Sequence, residues 1–242
     1  MKQTKSSTFL RGIKPYKKNF PKVTLQQAQT PKIGTGQDRG ILKKMMDKTK
    51  RIVVVSGPTG SGESTITQLL IKKYPIFKRL VTATTRKPRL NEKNKKDYYF
   101  FTDRQFKTEI KNGNILEYVF IKNRGVYYGS YKPALEKEFK NGYSIIANTE
   151  HKGTIFFKKK YRATAIFLKA ESLLMIKKRL LGREPNMSLI ELKKRLDNAT
   201  KEIKKEEKYY DYVIINRQNK INETIKKIES ILKKEGYWLN KN

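Results

Sequence analysis

Nine consecutive residues, Gly57-Pro58-Thr59-Gly60-Ser61-Gly62-Glu63-Ser64-Thr65, carry a spacing suited to one kind of chemistry, the cradling of a phosphate chain. Glycines let successive backbone N–H groups turn inward around an anion, and a helix opening behind them adds the positive end of its dipole. The pattern is G-x-x-x-x-G-K-[ST] with one departure. Ser64 stands where a hydroxyl reaches Mg2+ held with a nucleotide's phosphates, and Glu63 stands where the lysine belongs. A lysine there attracts the β and γ phosphates, whereas a carboxylate repels them. At ~4 Å and an effective dielectric of ~20, one pair of unit charges interacts by about 4 kcal/mol, so reversing the sign costs at most about 8 kcal/mol, or roughly five to six orders of magnitude in rate. Three outcomes stay open: reduced turnover, a cation supplied from elsewhere, or a sequence altered at this position.

A second group of residues suits the recognition of another phosphate. Thr82-Ala83-Thr84-Thr85-Arg86-Lys87-Pro88-Arg89 precedes Glu92 and the run Asp97-Tyr98-Tyr99-Phe100-Phe101. Guanidinium forks match phosphate geometry two bonds at a time. Taken alone, an arginine pair split by x-Pro reads equally well as a solvated turn, and the tyrosines as core.

These residues need a frame that holds them. Ile52-Val53-Val54-Val55 is a continuous apolar run, as expected of a strand buried on both faces. Similar runs occur at 144–147, 165–168 and 212–215, with helical stretches near 132–141, 171–182, 188–208 and 219–235. Ser188-Leu189-Ile190-Glu191 and Thr102-Asp103-Arg104-Gln105 each read as a capping box opening a helix. Strands alternating with helices predict an α/β fold with a parallel sheet covered on both faces. The stretch 84–131 breaks that rhythm and reads as an inserted mixed β subdomain.

The motif series resembles the guanylate kinase family. The family's T-T-R-x-P-R, D-Y-x-F, F-I/L-E-[WY] and Y-Y-G-[ST] appear in order as Thr84–Arg89, Asp97–Phe100, Ile115–Tyr118 and Tyr127–Ser130. The resemblance covers about residues 51–235. It implies a P-loop NTPase-type parallel sheet flanked by helices, an inserted GMP-binding subdomain at about 84–131 and a helical lid at about 182–196. It also implies Mg2+-dependent transfer of the ATP γ-phosphate to GMP, giving ADP and GDP. Arg86 and Arg89 resemble the arginines that clamp the GMP phosphate, Tyr98 and Tyr128 the tyrosines completing that site, and Glu117 the carboxylate that reads guanine. Thr82 takes the place of a serine at the base, and Ser130 matches a second hydroxyl. Arg183 and Arg195, in Arg179-Leu-Leu-Gly-Arg183 and Ile190-Glu-Leu-Lys-Lys-Arg195-Leu196, resemble the lid arginines that fold over ATP. Asn216 matches the asparagine expected near the adenine, with Arg217 replacing the aspartate after it. Arg86, Arg183, Arg195 and Ser64 are thus the expected catalytic residues.

After the strand at 144–147 the family pattern D-x-D-x-Q-G becomes Asn148-Thr149-Glu150-His151-Lys152-Gly153. Asn148 is an expected acceptor contact that has lost its charge. Lys152, gained opposite the loop that acquired Glu63, suggests a cation moved across the cleft. His151 reads as an incidental surface residue. A second function class also fits: a guanylate-kinase-like binding module that keeps the acceptor cleft while losing the donor loop.

Composition limits the remaining choices. The 242 residues include 56 Lys+Arg, 22 Asp+Glu, one His and no Cys, which excludes a disulfide scaffold, Cys-ligated zinc and thiol catalysis. No run approaches 18 apolar residues, so no membrane helix is expected. The net charge of +34 is dominated by 43 Lys against 13 Arg spread along the chain, which favours general attraction to polyanions over a specific nucleic-acid role. Residues 1–50 hold 13 basic and 2 acidic residues and lack apolar periodicity, so a disordered basic arm is expected ahead of a domain at 51–242. A monomeric cytoplasmic protein is the expectation, with a mitochondrial or plastid transit role for the arm as the alternative.

Overall fold

The computed structural model describes residues 51–122 and 124–239; the arm expected at 1–50 lies outside the described residues. The chain opens on β1 (Ile52–Ser56), followed at once by the glycine loop and α1 (Glu63–Lys73). Five parallel strands form the main sheet in the order β2 (Phe77–Arg79), β7 (Ser144–Ala147), β1, β8 (Thr164–Ala170) and β9 (Tyr212–Asn216). The four apolar runs foreseen in the sequence are β1, β7, β8 and β9.

Alternation along β1 explains why the run is apolar throughout. Val53 and Val55 face a core shared with Ile66 and Leu70 of α1 and Ile225 and Ile228 of α7 (Ile221–Lys234). Ile52 and Val54 face the opposite core, with Leu135 of α3 (Lys132–Lys140) and Phe157 of α4 (His151–Tyr161). Both faces are dry, so neither parity of the strand tolerates a polar side chain.

The insertion is a second sheet in the order β4 (Tyr99–Phe100), β3 (Ala83–Thr84), β6 (Val126–Tyr131) and β5 (Ile115–Ile121). β3 pairs parallel with β4 and antiparallel with β6, which makes the sheet mixed as expected. α2 (Asp103–Lys111) buries Phe106 against Ala83 and Ile115 of this sheet. Its capping box is complete, with Gln105 N donating to Thr102 Oγ1 at 3.2 Å and Thr102 N donating to Gln105 Oε1 at 2.8 Å.

The remaining arm is α5 (Leu173–Arg183) and α6 (Leu189–Glu206), joined through Ile176, Leu180, Leu192 and Ala199. Only half of the expected Ser188 box is present. Ser188 Oγ accepts from Glu191 N at 3.2 Å, but the Glu191 carboxylate accepts from Arg195 Nε at 2.8 Å. An arginine one helical turn away competes successfully for the carboxylate that would otherwise have capped the helix.

Candidate nucleotide site

The glycine loop sits where the carboxyl end of β1 meets the start of α1, and its shape is imposed from two distant elements. Arg179 of α5 donates to Gly60 O at 3.0 Å, Ser61 O at 3.3 Å and Asn216 O at 2.9 Å. Asn216, at the end of β9, donates through Nδ2 to Ser61 O at 2.8 Å and accepts from Thr224 Oγ1 at 3.0 Å. Gly62 has φ +95°, and a Cβ there would lie 2.4 Å from Asn216 Nδ2, so close approach and left-handed backbone both demand glycine. Asn216, the asparagine expected beside the adenine, lines the cavity over the loop and is also its buried brace. Arg179, visible in the sequence only as the first arginine of a lid motif, is a second brace. A cavity of about 590 Å³ opens over the loop, bordered by Thr59, Gly60 and Thr65 as well as Arg183 and Arg217. Pro58 is buried under the loop, and the exposed Ser64 stands in the first turn of α1 with its hydroxyl at the helix's positive end.

Glu63 is the first residue of α1, in the same loop cavity. Burial drives its carboxyl up to about 8; the Gly57 backbone and the Asn148 side chain oppose that rise, and the Glu202 carboxylate adds to it. Near neutral pH the group is therefore largely an uncharged acid. Glu202, on α6, is itself raised to about 7, first by burial and then by Glu206 and Glu150. Lys152 does not join this group. It lines the acceptor cavity and acts on Glu150, whose carboxyl is raised by burial and by Glu206 and lowered by His151 and Lys152. The cation expected opposite Glu63 is thus placed beside a different carboxylate.

The acceptor cavity, about 300 Å³, lies between β5, β6 and the start of α4. Ser130 Oγ donates to Glu117 Oε1 at 2.6 Å, and burial raises the Glu117 carboxyl while Ser130 counteracts it. Gly153 lets the first turn of α4 approach, since a Cβ there would lie 2.7 Å from Thr149 Cβ and 3.1 Å from Glu117 Cδ. Thr82, Tyr98, Tyr128 and Asn148 line the same space. Asn148 Nδ2 donates to Val55 O at 2.8 Å and Thr67 Oγ1 at 3.1 Å, tying the acceptor wall to the strand and helix that carry the donor loop. A carboxylate could not donate either bond, which gives the asparagine a structural reason at this position.

Arg86 is held from three sides. Its Nη1 and Nη2 donate to Glu92 Oε2 at 2.6 Å and Oε1 at 2.8 Å, and Nε donates to Tyr128 OH at 3.2 Å. Its guanidinium carbon lies 5.1 Å from the Tyr98 ring centre. The arginine fork and an Arg89 N–H hold the Glu92 carboxyl down at about 2. Arg89 lines a third space of about 700 Å³, which it shares with Thr59, Arg124, Arg183, Arg195 and Glu202. In the lid arm, Arg183 and Arg195 both donate to Glu184 Oε1, at 3.0 and 3.1 Å. His151 is half-buried, Nδ1 against Glu206 Oε1 at 2.9 Å and the ring stacked on Tyr209, so it joins α4 to α6 away from the cavities. Arg124, at the β5–β6 turn, was not foreseen: nothing in its local sequence distinguishes it from a solvated hairpin charge.

A glycine loop between a buried parallel strand and a helix, faced by a mixed β insertion and an arginine-bearing helical arm, defines a P-loop kinase fold. The profile of the guanylate kinase family matches residues 49–235. The guanylate kinase of Protochlamydia amoebophila is 36% identical over 195 residues, covering 81% of this chain and 96% of that relative. That of Fusobacterium nucleatum is 37% identical over 168 residues, covering 69% and 88%. The crystal structure of guanylate kinase from Anaplasma phagocytophilum superposes with a TM-score of 0.58 at 29% identity, over 78% of this chain and 87% of that one. This chain belongs to the guanylate kinase family.

Proposed function

We propose that the protein is an ATP:GMP phosphotransferase. GMP would lie in the acceptor cavity, its base read by Glu117 with Ser130 and Thr82, and its phosphate held by Arg86, Arg89, Tyr98 and Tyr128. ATP would lie over residues 57–65, with Mg2+ carried on its phosphates and contacted by Ser64. An oxygen of the GMP phosphate attacks the γ-phosphorus, the new P–O bond forms as the β–γ bridging bond breaks, and the electron pair leaves on ADP. Positioning and charge neutralisation supply the catalysis, with Arg183 and Arg195 closing over the transferring group and excluding water. The division of residues 51–242 into a core, an acceptor insertion near 84–131 and a lid near 182–196 belongs to this reading.

The observation that carries it is the Glu117–Ser130 pair in a cavity whose wall residue Asn148 is bonded to the strand and helix flanking the glycine loop. A buried carboxylate accepting one hydroxyl bond retains lone pairs for the N1–H and amino group of guanine, a donor pair that adenine lacks. Glu63 favours a second reading, a binding module that keeps the acceptor cleft without turnover. ADP release from ATP plus GMP, with AMP as control acceptor, tests both. Release with GMP alone supports the kinase. GMP binding without release supports the module, and no GMP binding overturns both.

A further inference from the structure

The acceptor cavity and the large space beneath the lid share two lining residues, Ile121 and Arg124. Arg124 sits on the turn between β5 and β6, where Gly125 has φ +62° and Arg124 N donates to Ile121 O at 3.0 Å. Its side chain therefore borders Tyr98, Glu117 and Tyr128 on one side and Arg89, Arg183 and Arg195 on the other. That seam is the route between an acceptor phosphate and the donor loop.

Three of the other arginines around the seam already have carboxylate hydrogen bonds, whereas the side chains of Arg89 and Lys194 have only a charge neighbour. Arg86 is gripped by both oxygens of Glu92, Arg183 by Glu184, and Arg195 by Glu184 and Glu191. Lys152 acts on Glu150. The Arg124 guanidinium makes no hydrogen bond or ion pair among the described residues, and its charge acts on Glu191 of the lid arm. A phosphate entering the cavity meets the Arg124 guanidinium without first displacing a carboxylate hydrogen bond, and the planar fork suits phosphate oxygens better than an ammonium does.

We propose that Arg124 is a phosphate-binding residue of the acceptor site, whose guanidinium engages the phosphate of bound GMP and supplies, from the opposite wall, positive charge that the loop lacks at Glu63. This rests on the reading of the cavity as a GMP site.

The test measures binding of GMP and of guanosine to the full-length chain, the wild type against Arg124→Gln and Arg124→Lys, with circular dichroism confirming the fold. Loss of one charge-assisted contact predicts that Arg124→Gln weakens GMP about 10- to 100-fold, leaves guanosine within about twofold, and that Arg124→Lys recovers part of the loss. Unchanged GMP affinity in Arg124→Gln overturns the proposal. So does equal weakening of GMP and guanosine, which would mean that the turn merely supports the pocket. A wild-type chain that binds neither ligand overturns the acceptor-site reading itself, an outcome separable from a wild type that binds GMP normally and a variant that does so equally well.

Discussion

At the scale of single residues, Glu63 governs how the site responds to protons. Its carboxyl titrates near 8 in the folded chain because burial penalises the charged form. An unfolded glutamate titrates near its ordinary value, so between about 4.3 and 8 the native state holds a proton that the unfolded state has released. Stability therefore falls as pH rises through that window and levels off above it; Glu202, raised to about 7, adds in the same direction. The urea midpoint of the wild type is expected to drop between pH 5 and pH 9, and that of Glu63→Gln to drop less. Above pH 8 the ionised group also repels phosphate, so ATP affinity should decline in the wild type and hold steadier in Glu63→Gln. Glu63→Lys is expected to raise phosphoryl transfer at least about tenfold, within the ceiling that Coulomb's law sets. Parallel pH curves for wild type and Glu63→Gln would remove Glu63 from this account.

At the scale of elements, the helical arm holds its own arginines. Glu184 stands in the link between α5 and α6 and accepts from Arg183 and Arg195 together. Phosphates must outcompete that carboxylate, and exposed pairs of this kind are weak, so the barrier is modest. Glu184→Gln is expected to lower the KM for ATP about two- to fivefold with little effect on the KM for GMP. An unchanged KM for ATP would show that the pairing does not restrain closure.

Elements also show what could be read from residue order alone. β1, β7, β8 and β9 were legible from their continuous apolar runs, α3, α5, α6 and α7 from their helical patterning, and α2 from the capping box at its start. β2 was missed, since three residues form too short a run. α4 was missed because Gly153, Thr154 and Phe157 are buried where a helix normally places larger aliphatics, leaving no clean stripe. In the site, Arg86, Arg89, Arg183 and Arg195 stand out in the sequence through their motifs. The bracing roles of Arg179 and Asn216 were not, because both act on loop carbonyls more than 100 positions earlier in the chain. Charge alone suggests Lys152 as a partner for Glu63, whereas its place in the first turn of α4 sets it beside Glu150.

At the scale of the whole molecule, the strong positive charge surrounds a cleft walled by carboxylates, among them Glu63, Glu117, Glu150 and Glu202. Residues 1–50 carry 13 basic against 2 acidic residues. Among the described residues no helix is long and apolar enough to cross a membrane. Removing residues 1–50 is expected to flatten the salt dependence of heparin binding while leaving the KM for GMP unchanged. An unaltered salt slope would place the polyanion contacts on the folded body.

The braces on the glycine loop have a consequence for how the protein is made. Residues 57–65 leave the ribosome early, yet the groups that fix their carbonyls are Arg179 and Asn216, followed by Thr224. A nascent chain that has emerged only as far as β8 possesses the loop's sequence without its form. Competence to hold a nucleotide is thus acquired only once β9 and α7 have been made.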